Sequence, residues 1–205
     1  MPACPTGADR PCGAALPSQA GCLGTQSAQA RSRPVMIRAA ALGDLDQLVN
    51  LETRVFGDQA WSRQELRFEL SGPSHTYLVW EDQSAILGYG GYWSGERDAE
   101  LMTMGVLPEA RNRGIAGSLL TKLIASADCE GLQRMNLKVR VDNSAAIDLY
   151  KDFGFSQTGL RKGYYQPEDV DAWAMTRPLS SVGPGPVGFG GNKLSKGQER
   201  IIDHE

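Results

Sequence analysis

The chain has 205 residues, 41% of them hydrophobic and 22% charged, and a net charge of -3. That is enough for one globular domain with its own core, and the charge excludes binding of nucleic acid through bulk positive charge. No apolar run approaches the ~18–20 residues of a membrane span, and the N-terminus has no continuous apolar segment of the secretory kind, so the expected location is cytoplasmic.

Residues 1–34 are rich in Gly, Ala, Pro and Ser and nearly free of large apolar side chains, so a disordered extension is predicted there. Cys4, Cys12 and Cys22 lie in this stretch, with Cys129 far away and His75 and His204 distant from all of them. That spacing suits free thiols of a reduced compartment rather than a metal site. VMIRAA (35–40) reads as a strand, and Leu45, Leu48, Val49, Leu51 and Val55 recur at helical spacing after Asp44. A second helix follows Trp61, with Ser62 and Glu65 spaced as a capping box. TYLVWE (76–81) and AILGYGGYW (85–93) form a predicted hairpin, and ELMTMGVL (100–107) a further strand. Ile115, Leu119, Leu120, Leu123, Ile124 and Ala127 line one face of a long helix. MNLKVRV (135–141) is a strand, SAAIDLYKDFGF a short helix ending near Gly154, and strands near 155–162 and 170–177 complete the domain. The expected class is α+β (mixed α/β), with the folded domain at 35–178 and a flexible Gly/Pro-rich tail at 179–205.

The segment after the 100–107 strand carries the first chemical signal. Arg111, Asn112, Arg113, Gly114, Ile115, Ala116 and Gly117 make a basic, small-residue opening to a helix. Free N–H groups and the helix dipole at such an opening bind an anion, while close helix–sheet packing explains the small residues equally well. The segment is neither a GxxxxGK[ST] phosphate loop nor a GxGxxG fingerprint.

R-x-x-G-x-A after a strand resembles the acetyl-CoA motif of the GNAT N-acetyltransferases. About 25 residues further on, Val139-Arg140-Val141-Asp142-Asn143 through Tyr150 to Gly154-Phe155 matches that family's V-R-x-x-N-x-x-A-x-x-L-Y-x-x-x-G-F. The resemblance covers roughly 35–178 and implies a central, mostly antiparallel twisted sheet whose strands splay at the acetyl-CoA site. It implies that the N–H groups of residues 112–117 hold the pyrophosphate, and that the main chain of Met104, Gly105 and Val106 pairs with the pantetheine arm and stabilises the oxyanion. Asn143 is then a cofactor neighbour, and Tyr150 the acid that protonates the departing thiolate, whose pKa near ~8.5 a phenol near ~10 can serve. Read without the motif, Tyr150 is an ordinary core aromatic of an amphipathic helix.

Two further segments, Trp61-Ser62 before a helix and Tyr164-Tyr165 before the last strand, resemble the RimI-like subgroup of ribosomal-protein-alanine acetyltransferases. By that resemblance the substrate is a protein N-terminus, the alanine of small-subunit ribosomal protein eighteen. Trp61, Lys138 and a Tyr164-Tyr165 loop then surround it; the alternative is that Trp61 and the tyrosine pair are merely packed aromatics. No metal, direct nucleic-acid contact or membrane contact is implied.

One position departs from the pattern. The subgroup's L-E-V-R, with glutamate as base, reads Leu137-Lys138-Val139-Arg140 here. In the family's histone-acetyltransferase branch the catalytic glutamate holds the place of Glu100, six residues before Val106, so the resemblance offers Glu100 as a replacement base, with a solvated edge carboxylate as the alternative; simple strand alternation puts residues 100, 102 and 104 on one face. A different amine, either a small molecule or a lysine side chain, stays open as the acceptor. So does a CoA-binding module that has lost catalysis.

Overall fold

The structure is a computed structural model that describes residues 35–180. The expectations for residues 1–34, including Cys4, Cys12 and Cys22, and for the tail beyond 180 lie outside the described residues.

The elements follow the order that the periodicities predict. They are β1 (Met36–Ala39), α1 (Leu45–Phe56), α2 (Arg63–Ser71), β2 (His75–Asp82), β3 (Ala85–Ser94), β4 (Asp98–Val106), α3 (Ile115–Cys129), β5 (Arg134–Arg140), α4 (Ser144–Asp152), β6 (Ser156–Tyr165) and β7 (Val170–Pro178). All seven strands share one sheet in the order β1-β2-β3-β4-β5-β7-β6. Only the β4–β5 pair is parallel, because α3 carries the chain back over the sheet between them. The fold is mixed α/β.

Each helix forms for a local reason. Ser62 accepts from the Glu65 N–H and the Glu65 carboxylate accepts from the Ser62 N–H, the capping box that opens α2. In α3 the six apolar residues expected to share a face are all buried. They sit close to the sheet because β3 is glycine-rich: a Cβ at Gly88 would lie 2.9 Å from Ile115 Cγ2, and one at Gly90 3.4 Å from Leu123 Cδ1. Asp44 turns away from simple capping. Its carboxylate accepts from Arg38 at 2.7 and 2.9 Å and from the Ala41 N–H at 2.8 Å, and Arg38 also reaches Glu81. This ties β1, β2 and the start of α1 together.

Two apolar clusters make the core. One joins α3 and α4 to β4, β5 and β7, and the other joins α1 and α2 to β2 and β3. Contacts run two residues past the expected boundary at 178, the Ser180 N–H donating to Asp128 Oδ1 at 2.8 Å. Leu179 is buried, and its N–H donates to the Gln133 carbonyl at 2.8 Å.

Candidate active site

β4 and β5 pair only at Asp98–Arg134, Ala99–Met135 and Glu100–Asn136. Beyond that vertex β4 stays with β3 as far as Val106, and β5 stays with β7 as far as Arg140. The edges of Leu101–Val106 and Leu137–Arg140 that face each other therefore carry no ladder. A bulge in β4 accompanies the parting. Tyr92 pairs with Leu101 and Gly91 with Thr103, which leaves Met102 as the extra residue, and such an insertion bends and twists its strand.

The bulge corrects the expected alternation. Met104 packs in the α3/α4 cluster with Ala99 and Leu101, on the face opposite Glu100. Thr103 and Gly105 take the α1 face. Thr103 Oγ1 lies 3.5 Å from Tyr89 Oη, and a Cβ on Gly105 would meet Leu51 and Phe56 at 3.2 Å. A single inserted residue reverses every side chain after it.

Past β4 the chain makes a short turn, Pro108–Ala110, and reaches the basic loop. Asn112 and Gly114 are left-handed, with φ of 58° and 74°. Gly114 is the N-cap of α3, no side chain caps the helix, and a Cβ at Gly114 would meet nothing within 4 Å. Ser118 donates to the Gly114 carbonyl at 3.0 Å, so the N–H groups of Ile115, Ala116 and Gly117 precede the first helical bond. Arg111 is half-buried, whereas Arg113 is exposed and reaches Asp82 at 3.4 Å.

On the α3/α4 face lie Asn143 and Tyr150. Asn143 caps α4, its Oδ1 accepting from the Ala146 N–H at 3.0 Å, while its Nδ2 is buried with no hydrogen-bond partner among the described residues. Tyr150 is 0% exposed and packs edge-on to Phe155, and its hydroxyl is likewise buried without a partner. Burial, and then nearby Tyr165, push this phenol well above its ordinary value. Two buried polar atoms without partners beside one gap are costly unless a ligand meets them.

On the opposite face, Lys138 Nζ donates to Glu100 Oε1 at 2.8 Å across the vertex and lies 5.8 Å from the centre of the Tyr164 ring. Tyr164 and Tyr165 are not on a loop. They are the last residues of β6, ahead of the turn into β7. Tyr165 is buried against Tyr164, with ring centres 5.1 Å apart, and its hydroxyl donates to the Lys138 carbonyl at 3.4 Å. One tyrosine thus faces the ion pair while the other supports it.

The Acetyltransferase (GNAT) family model matches residues 44–155, more than half of the chain. The chain belongs to the GNAT acetyltransferase family. A GNAT relative, the N-alpha-acetyltransferase RimI of Mycobacterium tuberculosis, is 35% identical over 153 residues, covering 72% of this chain and 95% of that protein. The [ribosomal protein bS18]-alanine N-acetyltransferase of Escherichia coli is 35% identical over 85 residues, covering 40% of this chain and 57% of that one. The crystal structure of the Escherichia coli ribosomal-protein-S18-alanine N-acetyltransferase shares the GNAT fold with a TM-score of 0.67 at 24% identity, over 80% of this chain and all of that one.

Of the residues singled out in the sequence, Glu100, Met104, Gly105, Val106 and Lys138 lie on the two strands that border the β4–β5 gap, and Trp61 does not. It is 5% exposed and packed in the α1/α2 core, so it is no wall for a substrate. Its main-chain N–H donates at 2.7 Å to Glu52, a 1%-exposed carboxylate that also accepts from Tyr89 Oη. Glu52 escaped the sequence reading because it falls within the apolar spacing of α1. Gln59 and Glu168 escaped it as well. They join the α1–α2 connection to the β6–β7 turn through a 3.1 Å bond, and neither belongs to a motif. Among the described residues no His/Cys/Asp/Glu group could hold a metal, and no helix is long and apolar enough to cross a membrane.

Proposed function

We propose that this GNAT enzyme transfers an acetyl group from acetyl-CoA to the N-terminal α-amine of a protein, with the N-terminal alanine of small-subunit ribosomal protein eighteen as its substrate. The names of the relatives support a protein N-terminus and a ribosomal substrate, and a cytoplasmic reaction fits such a substrate. The observation that carries the reading is the Glu100–Lys138–Tyr164 cluster at the vertex, with Tyr150 Oη on the far side of the same gap.

The gap suits acetyl-CoA, the thioester donor that GNAT enzymes use. The open edge of β4 at Met104, Gly105 and Val106 offers main-chain groups to an amide-rich pantetheine arm. The N–H groups from Asn112 to Gly117, with Arg111 and Arg113, offer donors and charge to a pyrophosphate. Asn143 Nδ2 and Tyr150 Oη are donors in want of acceptors. Acetyl-CoA supplies the activated carbonyl. The protein's part is to present a neutral amine from the Glu100 side and to protonate the departing sulfur from the Tyr150 side. The incoming nitrogen gives its proton to Glu100, directly or through water, and the phenol of Tyr150 gives one to the thiolate.

Lys138 favours an N-terminus over a lysine side chain. A cation beside the amine opposes the ammonium form. Reaching the neutral form at pH 7 costs an α-amine of pKa near ~8 about 1.4 kcal/mol, against about 4.6 kcal/mol for a lysine near ~10.4. An acceptor that is already close to neutral tolerates Lys138 in the place of a base.

Release of CoA is the measurement, with three acceptors: a peptide bearing the ribosomal protein's N-terminus, the same peptide blocked at the N-terminus but carrying an internal lysine, and a panel of small amines. Turnover of the free N-terminus alone is expected. Turnover confined to the lysine or to small amines overturns the reading, and tight CoA binding with no turnover of any amine makes the protein a binding module. The role of Glu100 is tested separately by Glu100→Gln. The acid limb of kcat/KM moves up to the amine's own pKa near ~8, with about a tenfold loss at pH 7. An unchanged profile removes Glu100 from the proton path.

A further inference from the structure

In the mechanism proposed above, the acceptor amine gives its proton to Glu100. A second amine already holds that place. Lys138 Nζ donates to Glu100 Oε1 at 2.8 Å, and the two side chains are 19% and 21% exposed. Lys138 stands on β5 two residues past Asn136, where the pairing with β4 ends, so its main chain belongs to the open edge of the gap. The Tyr165 hydroxyl donates to the Lys138 carbonyl at 3.4 Å and helps to fix that main chain. Between it and Nζ runs a flexible four-carbon stem, so Nζ can leave Glu100 for the gap without any movement of the strand.

The other described lysines have no such setting. Lys122, Lys151 and Lys162 are all exposed, and Lys151 lies 3.8 Å from Asp148 on the outside of α4. Among the described residues, Lys138 is the one lysine bonded to the proposed base.

A lysine amine is neutral in only about one molecule in 2,500 at pH 7, against about one in ten for an α-amine. A lysine on a separate substrate bears that disadvantage in full. Lys138 needs neither binding nor orientation, and well-placed intramolecular groups reach effective molarities of ~10⁵–10⁸ M. Its reaction is slow beside peptide turnover, but it has to occur only once per chain.

We infer that Lys138 is a self-acetylation site: the chain acetylates its own Nζ from the acetyl-CoA in the gap and thereby abolishes the Lys138–Glu100 ion pair. This rests on the acetyl-CoA site and on Glu100 as base, as proposed above, and not on the identity of the acceptor. The Lys138 ammonium passes one proton to Glu100, the neutral nitrogen bonds to the acetyl carbonyl carbon, and the C–S bond breaks. Tyr150 protonates the departing sulfur, and the second proton lost from nitrogen restores Tyr150. The products are an amide at Lys138, the CoA thiol and one proton, which passes from Glu100 to solvent. Acetyl-lysine carries no charge, so an incoming ammonium then meets a carboxylate no longer paired with Lys138.

The test is the mass of the full-length protein and of its proteolytic peptides, as purified and after incubation with acetyl-CoA alone. One acetyl group at Lys138 is expected, gained at a rate independent of protein concentration and at least about tenfold above that of Lys122, Lys151 or Lys162. Glu100→Gln loses about tenfold or more of this labelling. Where Lys138 is already acetylated as purified, Glu100→Gln made in the same host shows the same loss. Lys138 unmodified in both samples, labelling no faster than at the exposed lysines, a rate that climbs with protein concentration, or undiminished labelling in Glu100→Gln overturns the inference. Peptide turnover is followed in parallel. Turnover with Lys138 unmodified removes self-acetylation and leaves N-terminal acetylation standing. Modification of Lys138 with no turnover of any peptide upholds self-acetylation and removes the proposed acceptor, and the absence of both removes both.

Discussion

Tyr150, in the proposed mechanism, costs stability and serves chemistry at once. Its hydroxyl is buried among apolar neighbours with no partner among the described residues, an arrangement that ordinarily costs ~1–3 kcal/mol. Tyr150→Phe removes that cost and keeps the ring against Phe155. The expected result is an unchanged or higher Tm together with a kcat about a hundredfold lower, the usual size of a lost general acid. A fall in Tm with kcat intact would mark a purely structural aromatic. Because burial raises the phenol's pKa, the donor form persists to higher pH, and any alkaline loss of activity below the ordinary phenol value near ~10 has another origin. The motif singled out Tyr150 as the proposed acid. It could not separate Tyr164 from Tyr165, nor withdraw Trp61 from the substrate side, because burial depends on what packs above a residue. Lys138 was visible as a departure, but its 2.8 Å bond to Glu100 joins two strands 38 residues apart in the chain.

Among the elements, those set by local periodicity were readable, and those set by tertiary register were not. The α3 stripe and the Ser62–Glu65 capping box are written in consecutive residues, and both occur as expected. The β4 bulge has no such signature. It is a property of how β4 pairs with β3, so the alternation drawn from Glu100 went astray at Met102. The extension of β6 to Tyr165 depends likewise on its pairing with Val170. The start of α1 permits a test of stability. The hydrogen bonds from Arg38, then that from the Ala41 N–H, then the charge of Arg38 hold the Asp44 carboxyl below the ordinary carboxylate range against the opposing effect of burial. A depressed carboxyl contributes stability that is fully present above its unfolded pKa and is lost as pH falls through the lower folded value. Asp44→Asn should therefore cost about 2 kcal/mol at pH 7, the scale of hydrogen bonds to a charged partner. The two proteins' denaturation midpoints should converge on acidification below ~4. A gap that stays constant down to pH 2 would show that Asp44 acts through packing alone.

At the scale of the whole molecule, the sheet is two ladders joined at three residue pairs, with the donor's proposed place between them. A ligand that bonds to both open edges completes the sheet. Adding CoA should slow amide exchange at residues 101–106 and 137–140. It should also raise stability in proportion to the logarithm of its concentration, by about 2.7 kcal/mol at a hundredfold excess over Kd. Stabilisation without protection at those strands would put the ligand elsewhere. The same geometry bears on how the protein keeps to itself in solution. Unsatisfied strand edges usually lie at the rim of a sheet, where charge and bulges blunt them. Here a pair of them lies in the middle, open to any stray extended chain as readily as to a pantetheine arm. A preparation kept with CoA should stay dispersed, and one stripped of it should be the first to scatter light.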